Sequence, residues 1–419
     1  MMSGSSSPQG GSRPMMSGSS SPWMEREAAA ILPTYGRRPV VFVRGSGMRL
    51  YDDDGREYLD ALSGLSVTSL GHAHPAVTEA VARQAATLVH TSNLFFTTPQ
   101  IELAERLADT LGWADGRSFF SNSGAEANEA AIKLARRHGK RRHPDKVNVV
   151  ALHGGFHGRL LGPLLLTGNP AKHEPFQPLG GWVTHVPHDD AAALTRAVDE
   201  RTCAVWLEVV QGEGGVRSVP EDVLQAARSA CDAHDALLVI DEVQTGIGRL
   251  GSWYGWQQTA VEPDVVCLAK ALANGLPIGA TVARGAAAEA FAAGDHASTF
   301  GGGPVVTAAA LAVLDTVARD GLVEHAAAMG TALRRRLEEL VTAQPLATGI
   351  RGRGLLQGLE LAGDVAATVV GAALDAGLVV NDVAPDVLRL APPLIMGDAE
   401  LDQLAERLDA ALSTAARAL

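Results

Sequence analysis

Short apolar runs ending in a charged or small residue recur through the middle of the chain, and the run that organises the rest is Leu237-Leu238-Val239-Ile240-Asp241. Consecutive apolar positions without a helical period predict a strand buried on both faces, as in a parallel sheet. Such sheets present their ligands at the carboxyl ends of the strands, so Asp241 is offered to a pocket. Similar runs at 119–120, 147–152, 203–207 and 265–268 predict further strands, which lead to Ser121, His153, Glu208 and Lys270. Apolar residues spaced three and four apart predict helices over 75–88, 99–111 and 126–137. Alternation over 40–62, around Asp52-Asp53-Asp54-Gly55, predicts a hairpin with an acidic turn. Beyond Gly321, residues 351–361 and 387–390 read as strands and 398–412 as a helix. The pattern implies an α/β fold. A large unit with a mostly parallel sheet covers 71–320, and a smaller α+β unit is assembled from 25–70 and 321–419. Residues 1–24 are Ser/Gly/Pro-rich and repeat Met-Ser-Gly-Ser-Ser-Ser-Pro from Met2 and again from Met16, a composition that predicts a disordered tail.

Composition narrows the function. The 419 residues are 46% hydrophobic and 20% charged, which describes a soluble globular chain. A formal charge of -12 argues against nucleic acid as a partner and requires local arginines wherever an anionic substrate binds. Cys203, Cys231 and Cys267 lie in apolar or helical stretches without metal-ligand spacing, the usage of a reduced, cytoplasmic protein. No apolar run approaches the ~18 residues of a membrane helix, and the N-terminus lacks the basic and apolar regions of a signal peptide.

Lys270 is set among Ala269, Ala271 and Leu272, too apolar a setting for an ordinary surface lysine. A buried amine and an acid on neighbouring strand ends suggest pyridoxal phosphate chemistry, in which the lysine holds the aldehyde covalently and the acid pairs with the pyridine nitrogen. An apolar strand followed by Asp-Glu also occurs in ATPases, but that reading needs a G-x-x-x-x-G-K-[ST] loop. Here the one Gly-Lys pair, Gly139-Lys140, is followed by Arg141. Residues 246–251 fit G-x-G-x-x-G, yet they stand apart from the strand and precede a poor helix start. His153 and His157 have H-x-x-x-H spacing, but the glycines between them break any shared helix face and no Glu-bearing zinc motif is present. Ser121-Asn122-Ser123-Gly124-Ala125-Glu126 opens a helix whose small residues let backbone amides approach an anion. A helix dipole contributes only about 0.3–1 kcal/mol, so a phosphate needs further donors, for which Ser298 and Thr299 are the candidates. Glycines on both sides free Phe156 to lie against a ring and Arg159 to turn into a cleft. Glu208 and Glu213 follow the next strand.

Taken in order, Ser121-Asn122-Ser123-Gly124-Ala125-Glu126, Phe156-His157-Gly158-Arg159, Gln211-Gly212-Glu213-Gly214-Gly215, Asp241-Glu242-Val243-Gln244-Thr245-Gly246, Leu268-Ala269-Lys270 and Ser298-Thr299-Phe300-Gly301-Gly302 resemble the motif series of the class III pyridoxal phosphate aminotransferases. The resemblance runs from Leu32 to the C-terminus. Gly71-His72-Ala73-His74-Pro75, Arg351-Gly352-Arg353-Gly354 and Leu388-Arg389-Leu390-Ala391-Pro392 are most similar to the branch that acts on acetylornithine. The resemblance implies fold type I, pyridoxal 5′-phosphate as cofactor, an amino donor and 2-oxoglutarate as substrates, and a homodimer with shared active sites. It implies that Lys270 binds the cofactor covalently and Asp241 pairs with its ring nitrogen. Gly124 and Ala125 would hold the phosphate, Phe156 and Val243 the two ring faces, and Glu242 and Gln244 would lie alongside, with Gln244 near the phenolic oxygen. Thr299 would reach the neighbouring subunit's cofactor. Arg159 and Arg389 would bind substrate carboxylates, Ser298 would contact substrate, and Glu213 would pair with Arg389 in one half-reaction. The chain departs from the family pattern at Val209, where proline is usual, at Leu160, where threonine is common, and at Gly303, where asparagine is usual.

Overall fold

The computed structural model describes residues 21–419. Seven strands form the central sheet, in the order Arg117–Ser121, Gly279–Ala283, Val265–Leu268, Leu237–Asp241, Thr202–Leu207, Asn148–Leu152 and Val183–Val186. Leu237–Asp241 runs parallel to both neighbours, with Leu238 opposite Val205 and Val239 opposite Val265. Every residue of Thr202–Leu207, Leu237–Asp241 and Val265–Leu268 is buried, which is why these strands read as unbroken apolar runs. Gly279–Ala283 is antiparallel to both strands it joins. The sheet is therefore mostly parallel, with one reversed strand that the apolar pattern does not reveal.

Helices cover both faces. Gly124–Lys140 lays Ala127, Ala131, Leu134 and Ala135 against one side, while Glu221–His234 lays Val223, Leu224, Ala227 and Cys231 against the other. The first of these helices starts two residues before the expected Glu126, because the Ser123 hydroxyl accepts the Glu126 amide at 3.2 Å and caps it. A third cluster unites Pro75–Thr87, Thr98–Leu111 and Pro304–Arg319 with the C-terminal segment.

The N-terminal hairpin, Arg49–Asp52 and Glu57–Asp60, extends through Leu59 opposite Leu378 into a pairing with the C-terminal segment. Its acidic turn is self-satisfied: Asp52 accepts the amides of Asp54 and Arg56 and the Tyr58 hydroxyl. Among the described residues no cluster of acids, histidines and cysteines could hold a metal. Strands Ala347–Arg353, Leu356–Leu361, Val387–Leu390 and Asn381–Ala384 form a second sheet, and Asp398–Ala418 is a helix.

One expectation changes. Residues 22–24, expected to be part of a disordered tail, are ordered instead, since Pro22–Ala30 is helical. Pro22 occupies the first turn, where its missing N–H costs nothing, and Arg26 stands over the Trp23 ring; residues 1–20 lie outside the described residues. The glycine run at 246–251 opens no helix. Gly251, at φ 86°, lets helix Leu322–Ala343 approach so closely that a Cβ there would stand 2.7 Å from that of Ala327. Between these glycines Arg249 is fully buried, donating to the Ser69 hydroxyl at 3.0 Å and to the carbonyls of Leu355 and Pro392. Burial pushes its guanidinium down to about 9.

Candidate active site

The carboxyl ends of Thr202–Leu207, Leu237–Asp241 and Val265–Leu268 open onto a cavity of about 420 Å³, a size ordinary for small-molecule sites. Asp241 reaches it from the middle strand, held from three directions. Oδ2 accepts from Asn128 Nδ2 at 2.9 Å and His157 Nδ1 at 2.8 Å, and Oδ1 accepts the Val243 amide at 3.0 Å. Asn128 is in turn fixed by the Trp206 indole, which donates to its Oδ1 at 3.0 Å. Asp241, His157, Asn128 and Trp206 are all buried. A carboxylate acceptor places the imidazole proton on Nδ1.

Lys270 stands across the cavity, at the start of a short 3-10 turn that follows the neighbouring strand. Its φ of 44° is a left-handed conformation that a lysine adopts only under constraint. Such positions concentrate at functional sites. Burial lowers the amine's pKa and the nearby Arg389 charge lowers it further, against the opposing pull of Glu213, Asp241 and Glu208. A fraction of neutral amine is what nucleophilic attack and proton transfer require.

One wall is the start of helix Gly124–Lys140. Glu126 Oε2 accepts the amide and side chain of Asn122 at 2.7 and 2.8 Å, completing the cap begun by Ser123. The amides of Gly124 and Ala125 take no part in that cap and are free to meet an anion. Gly124 is required here: a Cβ would stand 2.9 Å from Val243 Cγ1. Phe156, Val243 and Arg159 also line the cavity. The Phe156 amide donates to Glu208 Oε2 at 3.0 Å, and burial pushes the Glu208 carboxyl up to about 7, moderated by the charge on His157.

The far end is electrostatic. Arg389 is fully buried and donates through Nη1 to Glu213 Oε1 at 2.6 Å and to Gln244 Oε1 at 3.3 Å, and through Nε to Asn381 Oδ1 at 3.1 Å. Its Nη2 has no hydrogen-bond partner among the described residues. Burial pushes the Glu213 carboxyl up, but the Arg389 charge and hydrogen bond outweigh it and hold the group below its ordinary value. Glu213 and Gln244 line the cavity and stand between it and Arg389.

Thus Lys270, Asp241, Gly124, Ala125, Phe156, Val243, Gln244, Arg159 and Glu213 converge on one space, with Arg389 immediately behind. Glu242 and Ser298 lie elsewhere, as does Thr299, which the resemblance assigns to a neighbouring subunit's cofactor. Glu242 turns its carboxylate away from the cavity to the amides of Gly255 and Trp256 at 2.9 and 2.8 Å and to the Thr245 hydroxyl, because successive side chains at a strand end point to opposite sides. Ser298 sits behind Asn122, its Oγ accepting from Asn122 Nδ2 at 3.3 Å and from the Gly301 amide at 3.0 Å. Thr299 is exposed and borders a separate hollow with His90, Thr91 and Asn93.

His157 and Asn128 are the site residues that sequence reasoning missed. His157 was visible only within an H-x-x-x-H pair, although its flanking glycines mark a tight approach. Asn128 was visible as a lone amide on an otherwise apolar helix face.

The family described as "Aminotransferase class-III" matches residues 32–412. The acetylornithine aminotransferase of Mycolicibacterium smegmatis is 51% identical over 391 residues, spanning 93% of this chain and 98% of that protein. Among solved structures, the ornithine aminotransferase of Toxoplasma gondii superposes with a TM-score of 0.90 at 31% identity, covering 95% of this chain and 96% of that one. The N-acetylornithine aminotransferase of Stenotrophomonas maltophilia gives 0.81 at 35% identity, covering 92% and 98%.

Proposed function

The chain belongs to the class III aminotransferase family, and we propose that it uses pyridoxal 5′-phosphate to move the terminal amino group of N2-acetyl-L-ornithine to 2-oxoglutarate. The products are N-acetyl-L-glutamate 5-semialdehyde and L-glutamate, a step of arginine biosynthesis. Relatives that carry the acetylornithine name at 51% identity support the donor. The observation that carries the reading is the shared cavity of Asp241 and Lys270, with one arginine open to it and a second masked by an acid.

The residues fit the cofactor. Free amides at a helix start suit its phosphate, a carboxylate held by three donors suits its ring nitrogen, and an amine of lowered pKa suits its aldehyde. When bound, the cofactor supplies an aldehyde that takes up an amino group and a ring that accepts electrons from the substrate carbon. The protein does the rest. Asp241, fixed in place by its three donors, would hold a proton on the ring nitrogen. The Lys270 amine removes the proton from the substrate carbon bearing nitrogen and returns it on the other side of the transfer. Arg159 binds the carboxylate far from the reacting carbon. Arg389 binds the second carboxylate of the oxoacid once Glu213 swings aside, and Glu213 neutralises it while the donor, which has no such group, occupies the site.

Residues 71–320 form the cofactor-binding unit in this reading, and two copies share their sites. Thr299 is free to serve a neighbour, and Leu94, Phe95, Phe96 and Phe300 expose a large apolar surface for a second copy to cover. Three free, buried cysteines support a cytoplasmic setting.

The test is a half-reaction. N-acetylornithine, ornithine and 4-aminobutyrate are added separately to the cofactor-loaded protein without an oxoacid. Selective loss of the cofactor's absorption band with N-acetylornithine, and its return with 2-oxoglutarate, is expected. Preference for another amine overturns the donor, and absence of any band after loading overturns the cofactor.

A further inference from the structure

The turn after Arg159 carries a charged group that the chemistry above does not use. The Lys172 ammonium lies 5.1 Å from the centroid of the Phe156 ring, and the Arg159 guanidinium lies 5.8 Å from the same centroid. Lys172 is half-buried, and its ammonium has no hydrogen bond or ion pair among the described residues. Burial lowers its pKa, Arg159 lowers it further by like charge, and Glu213 opposes them. The charges that act on it thus include two that line the cavity.

Its position is built rather than incidental. Asn169 caps the turn Pro170–His173, accepting the Ala171 amide at 3.2 Å. The segment before the turn is stitched to the loop that carries Phe156: Gly154 donates to the Gly168 carbonyl at 3.0 Å, Gly168 to the Gly155 carbonyl at 2.9 Å, and His157 through its amide to Thr167 Oγ1 at 3.0 Å. His173 closes the turn on the Thr167 carbonyl at 2.7 Å. Gly168 permits this approach, since a Cβ there would stand 2.3 Å from the Leu152 carbonyl oxygen. Two cations held over one aromatic ring repel each other, and neither has an ion-pair partner among the described residues, an arrangement that an anion between them relieves.

We propose that Lys172 is a binding residue that shares with Arg159 the substrate carboxylate distant from the reacting carbon, and so selects carboxylate-bearing substrates in both half-reactions. The inference rests on the proposed transamination for its substrates, but not for its geometry. Both N-acetylornithine and 2-oxoglutarate carry such a carboxylate, so one fixed pair of cations serves both.

The experiment compares wild type, Lys172→Met and Lys172→Arg, each loaded with cofactor. Calorimetry measures the Kd of glutarate, a dicarboxylate that cannot react, and absorbance follows the half-reaction with N-acetylornithine and with pentylamine, which has no carboxylate. Lys172→Met should weaken glutarate about tenfold and raise the half-saturating N-acetylornithine concentration about tenfold, with the limiting rate and the pentylamine reaction unchanged. Lys172→Arg should recover most of the affinity. Wild-type glutarate affinity should fall as pH rises through the lowered lysine pKa, a dependence absent from Lys172→Met. Equal glutarate affinity in wild type and Lys172→Met overturns the inference, as does an equal loss with pentylamine, which would mark a structural role. A wild type that does not respond to N-acetylornithine overturns the proposed donor instead, and the glutarate comparison still decides the role of Lys172.

Discussion

Arg249 and Arg389 are both fully buried, and the protein holds them in opposite ways. Arg249 is surrounded by neutral acceptors: the Ser69 hydroxyl and the carbonyls of Leu355 and Pro392. Its acceptors belong to the N-terminal and C-terminal segments, so the guanidinium pins both to the glycine loop beyond the central sheet. Arg389 faces a carboxylate on a cavity wall, beside the single backbone carbonyl of Gly212, and each of the two guanidinium groups keeps one nitrogen without a hydrogen bond among the described residues. Backbone acceptors cannot let go without unfolding, whereas a glutamate side chain can rotate away. The difference teaches that burial of a charge does not identify a functional residue. What identifies it is whether its partner can be exchanged for a ligand.

The comparison predicts lesions of two kinds, activity without stability at the cavity and stability without activity at the pin. Lys270→Ala should show the largest effect, losing at least the ~10²–10⁴-fold of a general base. Its urea midpoint should not fall, because burial of the amine is itself a cost. Near-normal turnover would end the proposed mechanism. Arg389→Met should lower kcat/KM for 2-oxoglutarate by about 10²–10³-fold, within the ~2–5 kcal/mol of affinity lost when one partner of a buried, hydrogen-bonded charge pair between binding partners is truncated. The donor half-reaction should change far less. Equal losses in both halves would mean that Glu213 does not exchange with substrate.

Arg249→Met should reverse the pattern. Leaving buried carbonyls without donors costs about 1–3 kcal/mol each, so a loss of about 2–3 kcal/mol in unfolding free energy is expected, with turnover per folded molecule nearly unchanged. Reduced turnover at unchanged stability would move Arg249 into the site. The smallest effect concerns Glu208, whose folded-state pKa is raised from 4.5 to about 7. The folded state then binds more protons than the unfolded one between those values. Its contribution to stability is therefore full below about pH 4.5 and is lost as pH rises through about 7. Glu208→Gln should flatten the urea midpoint against pH over that interval, and a slope identical to wild type would show that another group carries it.

The strands of the central sheet were legible because burial on both faces demands unbroken apolar runs, and Asp241 and Lys270 were legible as polar groups placed immediately after such runs. The helix-start cradle was legible too, since its small residues and the Ser123 cap are local features. His157 was not legible as a support for Asp241, because the contact joins positions 84 apart and leaves no trace in spacing. Nor was the Arg249 pin, whose partners come from Ser69, Leu355 and Pro392. Adjacent Asp241 and Glu242 belong to one motif, yet strand alternation sends their carboxylates to different sides.

By itself, the sequence determined where strands end, which residues follow them and where glycine must stand, because backbone propensity and hydrophobic periodicity act over a few residues. Only the tertiary structure decided which of those ends meet. It set Glu213 against Arg389, turned Glu242 away, placed Thr299 on the surface and brought Lys172 beside Arg159. Those outcomes depend on distances between segments far apart in the chain, which are set by how sheets and helices pack and not by any local preference.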